Sequence, residues 1–223
     1  MSDRDLAMRW VRGWAHIHAS RVEHVDGWPL VHVRRASRET EILCVDPGRA
    51  AFEALARHTA HDPREMLTVI ARDLSAYHAP PLPPGLRVER DDETFMTRTL
   101  AASTVPAPVG LTPRWLVDGP RANYTLDDGK RLAAEGTVGV LGTHAVFDAV
   151  ETSPAHQRNG LGRHVMSMLT MWAADHGATT GLLAASADGA GLYTALGWDA
   201  TLKLWSLMGV DDRRTPSPRP PTG

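Results

Sequence analysis

The sequence predicts an α/β (α+β) fold, in which a mixed, mostly antiparallel central sheet is flanked by helices and carries an additional N-terminal α/β lobe. Helix-like and strand-like hydrophobic patterns alternate along the 223 residues. Residues 122–152 read as a meander of strands with a hairpin turn at Asp128-Gly129. After this meander, a loop with two glycines leads from a strand into a helix of about fifteen residues.

The N-terminal segment begins with a predicted helix that Ser2 or Asp3 can cap. Its apolar positions recur at helical spacing and define one face, made of Leu6, Trp10, Trp14 and Ile17. We expect this face to be buried, since two tryptophans in register would otherwise form an exposed apolar patch.

The rest of the N-terminal lobe, which we assign to residues 1–85, reads as two strands, a helix and a third strand. These elements are predicted at residues 28–33, 41–45, 49–58 and 66–71. The lobe is either a separate small α/β unit or a degenerate copy of the second half. We expect it to pack on the second half and to help shape the substrate pocket.

A proline-rich stretch at residues 79–85 marks the predicted boundary to a second domain at residues 86–210. That domain is predicted to contain a long strand within residues 86–99 and a short helical piece at 111–117. Further strands are predicted at 122–126, 131–141, 145–152 and 179–185. Residues 211–223 contain four prolines and are predicted to be a disordered tail.

The loop before the long helix is predicted to bind an anion. The first turn of a helix has amides without intrahelical acceptors, and the helix dipole adds positive potential there. A P-loop would need Lys and then Ser or Thr after Gly162, where the chain has Arg163-His164. A dinucleotide-binding fingerprint is disfavoured, because Val165 stands where a third glycine or alanine is required.

The segment Gln157-Arg158-Asn159-Gly160-Leu161-Gly162 resembles the Q/R-x-x-G-x-G/A motif of the GNAT acetyltransferase superfamily. About thirty residues later, the segment from Leu192 to Trp198 is similar to the superfamily's Leu-Tyr-x-x-Leu-Gly-Phe signature, with Trp in place of Phe. Two motifs in the right order are more specific than either alone. The resemblance covers roughly residues 86–208.

The resemblance implies acyl transfer from acetyl-CoA, used as a cosubstrate, to an amine. The cofactor-binding residues would be Val150, Glu151 and Thr152 beside the pantetheine arm, and Gln157, Arg158, Asn159, Gly160, Leu161, Gly162 and Arg163 around the pyrophosphate. Tyr193 matches the tyrosine that protonates the departing thiolate. Many members carry an Asn seven residues before that tyrosine, where this chain has Ser186. Because the serine side chain reaches less far than an asparagine, Ser186 is not counted as a ligand of CoA.

The acceptor amine must lose a proton, and five residues near the sheet opening are candidates for the base: Glu135, His144, Asp148, Glu151 and His156. Strand alternation places Asp148 and Glu151 on opposite faces unless a bulge intervenes. The sequence does not decide between these two acids. We favour Glu151 as the catalytic base, because the acyl end of acetyl-CoA should lie beside it.

Composition excludes few classes but favours a cytoplasmic protein. A net charge of −2 gives no electrostatic reason to expect a nucleic-acid or membrane partner. The single cysteine, Cys44, allows no internal disulfide and is expected to be buried and inert. The start of the chain lacks an apolar signal segment. The pairs His16 with His18 and His58 with His61 are expected to face solvent, so no metal is predicted.

The leading hypothesis is an acetyl-CoA-dependent N-acyltransferase that moves an acetyl group to an amine of a small molecule or a protein. The alternative is a non-catalytic CoA-binding or ligand-sensing module built on the same scaffold. Ser186 and the absence of a clear base keep that alternative open. The sequence leaves the acceptor and the oligomeric state undetermined, because a fold does not fix a function.

Overall fold

The computed structural model describes residues 2–79, 81–101, 106 and 108–210. The helices are α1 (Asp3–Ile17), α2 (Arg49–Thr59), α3 (Ser75–His78), α4 (Leu161–Asp175) and α5 (Ala187–Ala195). The strands are β1 (Val22–Val25), β2 (Trp28–His32), β3 (Thr40–Val45), β4 (Glu65–Ala71), β5 (Leu86–Thr99), β6 (Thr112–Asp118), β7 (Arg121–Asp127), β8 (Leu132–Leu141), β9 (His144–Thr152), β10 (Thr180–Ala185) and β11 (Asp199–Gly209). None of these helices is long and apolar enough to cross a membrane. The tail predicted to be disordered lies outside the described residues.

The described strands form one sheet in the order β1-β2-β3-β4-β11-β5-β10-β9-β8-β7-β6. β3 pairs with β4 in parallel and β9 pairs with β10 in parallel, whereas the other neighbours are antiparallel. This confirms the predicted mixed, mostly antiparallel sheet. The sheet continues across the boundary predicted at residues 79–85, because β4 pairs with β11. The division into two domains stays a prediction.

Helix α1 covers one face of the sheet and packs against strands from both halves. Its start has the expected cap: the Ser2 hydroxyl accepts a hydrogen bond from the Asp5 amide, and the Asp5 carboxylate accepts one from the Ser2 amide. Trp10 and Trp14 are buried among residues of β3, β5, β9 and β11, as predicted. The opposite face holds α2 over the first half and α4 with α5 over the second.

One predicted element is wrong: residues 111–117 were expected to be helical and instead form β6. This strand pairs with β7 from Thr112 opposite Asp127 to Asp118 opposite Arg121. It is an edge strand with exposed residues throughout, so no hydrophobic alternation marks it in the sequence. Pro113 is tolerated at such an edge because its missing amide breaks no interior ladder. The other predicted helices and strands are confirmed to within a few residues.

Glycine at position 13 allows α1 to lie close to β9. A Cβ built at Gly13 would overlap Cγ2 of the buried Val146, a branched side chain with little freedom to move. We therefore expect Gly13→Ala to destabilise the protein by about 1–3 kcal/mol through overpacking, although alanine is the better helix former. Urea unfolding followed by tryptophan fluorescence measures this difference.

Gly191→Ala is the matched control for that experiment. Gly191 lies inside helix α5, and a Cβ there would meet no atom within 4 Å. We expect this variant to gain about 0.5–1 kcal/mol from helix propensity. Equal effects of the two substitutions would contradict the close approach of α1 to β9.

Candidate active site

The candidate site is a cleft that forms where two parallel strands separate. β9 and β10 are paired from His144 opposite Thr180 to Val146 opposite Leu182, and no further. β9 continues to Thr152 on β8, and β10 continues to Ala185 on β5. The resulting cleft has a volume of about 350 Å³ and is lined by Arg35, Glu93, Phe147, Asp148, Ala149, Val150, Glu151, Ala184, Ala185, Ser186, Gly189 and Tyr193.

A β-bulge at Ala149 sets which side chains enter the cleft. Ala149 has a φ of 51°, and the β8–β9 register shifts between Glu135 and Thr137. Phe147 and Val150 consequently both contact the core under α4, although they are three residues apart. The bulge brings Asp148 and Glu151 into the same cleft, which strict alternation would have prevented.

Tyr193 lies on α5 with its ring packed edge-on against Trp198. The residue is only 8% exposed, and its hydroxyl makes no hydrogen bond within the described part of the chain. Burial, together with the nearby Asp148 carboxylate, raises the pKa of Tyr193 to about 12. At neutral pH this side chain is therefore a phenol with a proton to donate into the cleft.

Asp148 is held by a histidine from the other end of the sequence. His18 Nε2 lies 2.5 Å from Asp148 Oδ2, and the carboxylate can only accept, so Nε2 carries the proton. Burial opposes ionisation of Asp148, but the bond from His18, the His18 charge and the Ala149 amide hold its pKa below the usual value. Arg35 contributes in the same direction. His18 was expected to face solvent, and this expectation is wrong; His16, His58 and His61 are exposed as predicted.

The glycine loop enters α4 as the sequence predicted. Arg158 and Gly160 have φ values of 64° and 76°, and Gly160 is the residue immediately before the helix. Within the described residues, the amides from Gln157 to Arg163 donate no main-chain hydrogen bond. A Cβ at Gly160 would point into open space. These free amides, with the helix dipole, form a site suited to an anion.

The remaining candidates for the base do not line the cleft. His144 is buried at the start of β9, far from its splayed end, with Nδ1 3.4 Å from an Arg9 nitrogen. His156 contacts Ser153 and, at 3.3 Å, Asp128. Glu135 lies opposite Glu151 and lines, together with Glu151, a neighbouring pocket, but it does not line the cleft. Of the five predicted candidates, the structure brings only Asp148 and Glu151 into the cleft.

The N-terminal half repeats the arrangement of strand, helix and parallel strand, but without a cleft. β3 and β4 stay paired as far as Val45 and Ile70, and α2 connects them. The Tyr77 hydroxyl donates to the Pro47 carbonyl at 2.8 Å, across the end of these strands. Residues 40–78 are all described, and in them β3 and β4 show no separation like that of β9 and β10.

Three ionisable residues that line or support the cleft were missed by the sequence analysis: His18, Arg35 and Glu93. None belongs to a local motif, since His18 ends α1, Arg35 follows β2 and Glu93 lies within β5. Only the pairing of distant strands brings them beside Asp148. No signal in the sequence could have identified them.

Similarity to solved structures identifies the fold. The chain is similar to a GCN5-related N-acetyltransferase from Kribbella flavida, with a TM-score of 0.62, 15% identity and 95% coverage of both chains. It is also similar to a putative GNAT-family acetyltransferase from Novosphingobium aromaticivorans DSM 12444, with a TM-score of 0.53, 18% identity, and coverage of 82% of this chain and 89% of the other. A tandem GNAT protein from the clavulanic acid biosynthesis pathway matches with a TM-score of 0.54, 13% identity, and coverage of 92% and 97%. The protein thus has the GNAT fold.

The sequence identifies the family of the second half. Residues 90–198 match the family described as the acetyltransferase (GNAT) family. These residues form a GNAT acetyltransferase domain, which confirms the resemblance found in the two motifs. A search of curated proteins finds no significant match.

The contact between His18 and Asp148 predicts a pH-dependent stability. We expect Asp148→Asn to lower the free energy of unfolding by about 1 kcal/mol at pH 7, because a charge-assisted hydrogen bond is lost. The folded-state pKa of Asp148 is lowered. Its stabilisation is therefore present above the unfolded value of about 3.9, and it is lost as pH falls through the folded value. Urea unfolding of wild type and Asp148→Asn between pH 3 and pH 7 measures whether their free energies of unfolding converge as the pH falls.

His18→Phe, which preserves a ring beside Trp14, is the control for that series. In the His18→Phe background, Asp148→Asn should lower the free energy of unfolding less at pH 7, since the hydrogen-bond donor to Asp148 is already absent. A difference between wild type and Asp148→Asn that stays constant down to pH 3 would refute the role of His18.

Proposed function

We propose that the protein is an acetyl-CoA-dependent N-acyltransferase that moves an acetyl group to an amine of a small molecule or a protein. One observation carries this proposal: the cleft between β9 and β10 holds a protonated, nearly buried tyrosine and lies beside a helix entrance with unpaired amides. The GNAT acetyltransferase domain at residues 90–198 supports acyl transfer in general.

The residues of the glycine loop fit the pyrophosphate of acetyl-CoA. The amides from Gln157 to Arg163 would donate to its oxygens, and the exposed Arg158 and Arg163 would add charge-assisted bonds. The main chain of Val150 to Thr152, which is unpaired on the side of β10, would bind the pantetheine arm. Acetyl-CoA itself supplies an activated acyl thioester.

Two side chains would move the protons of the reaction. In the transfer, a carbon–nitrogen bond forms to the amine, the carbon–sulfur bond breaks, the nitrogen loses a proton and the sulfur gains one. Tyr193 would donate to the departing sulfur, because it keeps its proton at neutral pH. Glu151 would accept the proton of the amine, since the bulge brings it into the cleft. Asp148, held ionised, would attract the ammonium form of the acceptor.

Binding of acetyl-CoA tests the proposed loop. We expect wild-type protein to bind acetyl-CoA with micromolar affinity by calorimetry, and Gly160→Glu to lose at least about 100-fold in affinity, because it adds bulk and negative charge at the pyrophosphate position. Gly142→Glu is the matched control. Gly142 has a φ of 59°, equally open surroundings and a place at the far end of β9. It should bind like wild type. A folded wild-type protein that does not bind acetyl-CoA would refute the proposal.

Removal of the Tyr193 hydroxyl tests the proposed acid. With the best acceptor from a panel of primary amines, Tyr193→Phe should lower kcat by about 100-fold and change the Kd of acetyl-CoA less than about twofold. Tyr77→Phe removes the corresponding hydroxyl of the closed N-terminal half and should leave kcat unchanged. An unchanged kcat in Tyr193→Phe would refute the acid role. A wild type that binds acetyl-CoA but acetylates no amine would favour the non-catalytic alternative.

A further inference from the structure

A second cavity of about 100 Å³ opens from the cleft toward α1, and we call it the side cavity. The side cavity and the cleft share Arg35, Glu93 and Asp148 as lining residues, so the two spaces are adjacent. Trp10 and Trp14 form the wall on α1. The side cavity therefore begins at the carboxylates of the cleft and extends between the N-terminal helix and the sheet.

Arg38 lines the side cavity as a buried cation with unused hydrogen-bonding capacity. The residue is 7% exposed, and one terminal nitrogen lies 2.8 Å from Glu41 Oε2. The other oxygen of Glu41 accepts from the Thr68 hydroxyl at 2.6 Å, which fixes the pair. Within the described residues, Arg38 Nε and Glu41 Oε2 make no hydrogen bond, so the contact between the two side chains is an ion pair only. Buried guanidinium groups normally satisfy their donors, so Arg38 is incompletely paired, and the side cavity that it lines is the space from which a ligand would supply an acceptor.

Arg35 adds a second cation to the same wall. Arg35 and Arg38 exchange two main-chain hydrogen bonds, of 2.8 and 3.2 Å, so a single tight turn carries both guanidinium groups. Within the described part of the chain, Arg35 makes no ion pair with an acidic side chain. The turn thus presents to the side cavity Arg35, which makes no direct ion pair but lies close enough to Asp148 to stabilise its carboxylate, and the partly free Arg38.

The acids of the side cavity differ in how far they are neutralised. Glu41 is paired with Arg38, and Glu93 is paired with Arg90 at 2.7 Å. Asp148 lies at the junction with the cleft, where the reacting amine would be. A purely cationic ligand would meet Arg35 and Arg38, and a purely anionic ligand would meet Asp148. A molecule with separated opposite charges satisfies both ends.

We propose that the acceptor is a small amine that carries a carboxylate, bound with its carboxylate on Arg38 and Arg35 and its amino group beside Asp148. This inference rests on the proposed acyl transfer for its chemistry, although the binding site can be tested without it. A cavity of about 100 Å³ has room for roughly three water molecules, so it accommodates a carboxylate with a short carbon stem and not a folded chain. The planar guanidinium groups match a carboxylate through paired N–H donors.

Matched acceptors test the carboxylate. The test compounds are glycine, β-alanine, 4-aminobutyrate and phenylalanine. Each is compared with its amide and with its decarboxylated amine. Aminomethylphosphonate, in which a phosphonate replaces the carboxylate of glycine, tests whether another anion is preferred. Thermal-shift binding without acetyl-CoA and thiol release with acetyl-CoA are both measured. We expect at least one carboxylate to exceed its amide by 10-fold or more in affinity and in kcat/KM. Equal values for all pairs, or a preference for the phosphonate, would overturn the proposal.

Variants of the turn test the two arginines. Arg35→Gln should reduce the preference for a carboxylate over its amide about 10-fold and leave the affinity for acetyl-CoA unchanged. Arg34→Gln, an exposed neighbour that lines neither space, should behave like wild type. Arg38→Met with Glu41→Gln removes both charges of the buried pair, so folding is protected, and should abolish the preference. A preference that survives all of these variants would overturn the site.

The two proposals can fail separately. Binding of acetyl-CoA without any effect of the carboxylate would refute the side cavity as an acceptor site and leave acyl transfer intact. Carboxylate-dependent binding that Arg35→Gln weakens, in a protein that does not bind acetyl-CoA, would support the side cavity and refute the proposed function.

Discussion

The separation of β9 from β10 is the constraint on which the candidate site depends. A parallel pair that stays bonded to its end leaves no room between its strands, as β3 and β4 show at Val45 and Ile70. β9 and β10 instead stop pairing after Val146 and Leu182, while each keeps its other neighbour. The opening therefore lies inside an otherwise continuous sheet. Rigid strands hold its walls, which suits a site that must position reacting groups.

The bulge at Ala149 determines which ionisable side chains line this opening. One extra residue on β9 keeps Phe147 and Val150 in the core and leaves Asp148 and Glu151 in the cleft. Two acids of one strand thereby reach the same space. Their surroundings differ, because His18 donates a hydrogen bond to Asp148 and thereby favours the ionised form of that carboxylate. Proximity of two carboxylates in different environments allows them to have different roles.

Helix α1 ties the N-terminal half to the cleft. The absence of a Cβ at Gly13 and Gly139 lets the helix and the sheet approach closely, so His18 at the end of α1 reaches Asp148. The turn with Arg35 comes from the same half of the chain and faces the cleft from β2 and β3. The N-terminal residues are thus part of the wall of the candidate site, even though the motifs proposed to bind the cosubstrate lie entirely in the second half.

The sequence by itself predicted the features that depend on residues close together along the chain. The cap of α1 and the glycine loop at Gly160 depend on neighbours only a few residues away. The cap was predicted at Ser2 or Asp3 and lies at Ser2, and the loop lies at the entrance of α4 as predicted. The edge strand β6, the bulge at Ala149 and the partner of His18 were decided by tertiary structure. Edge strands lack a buried face, a bulge leaves no periodic signal, and a contact across 130 residues depends on how the sheet assembles.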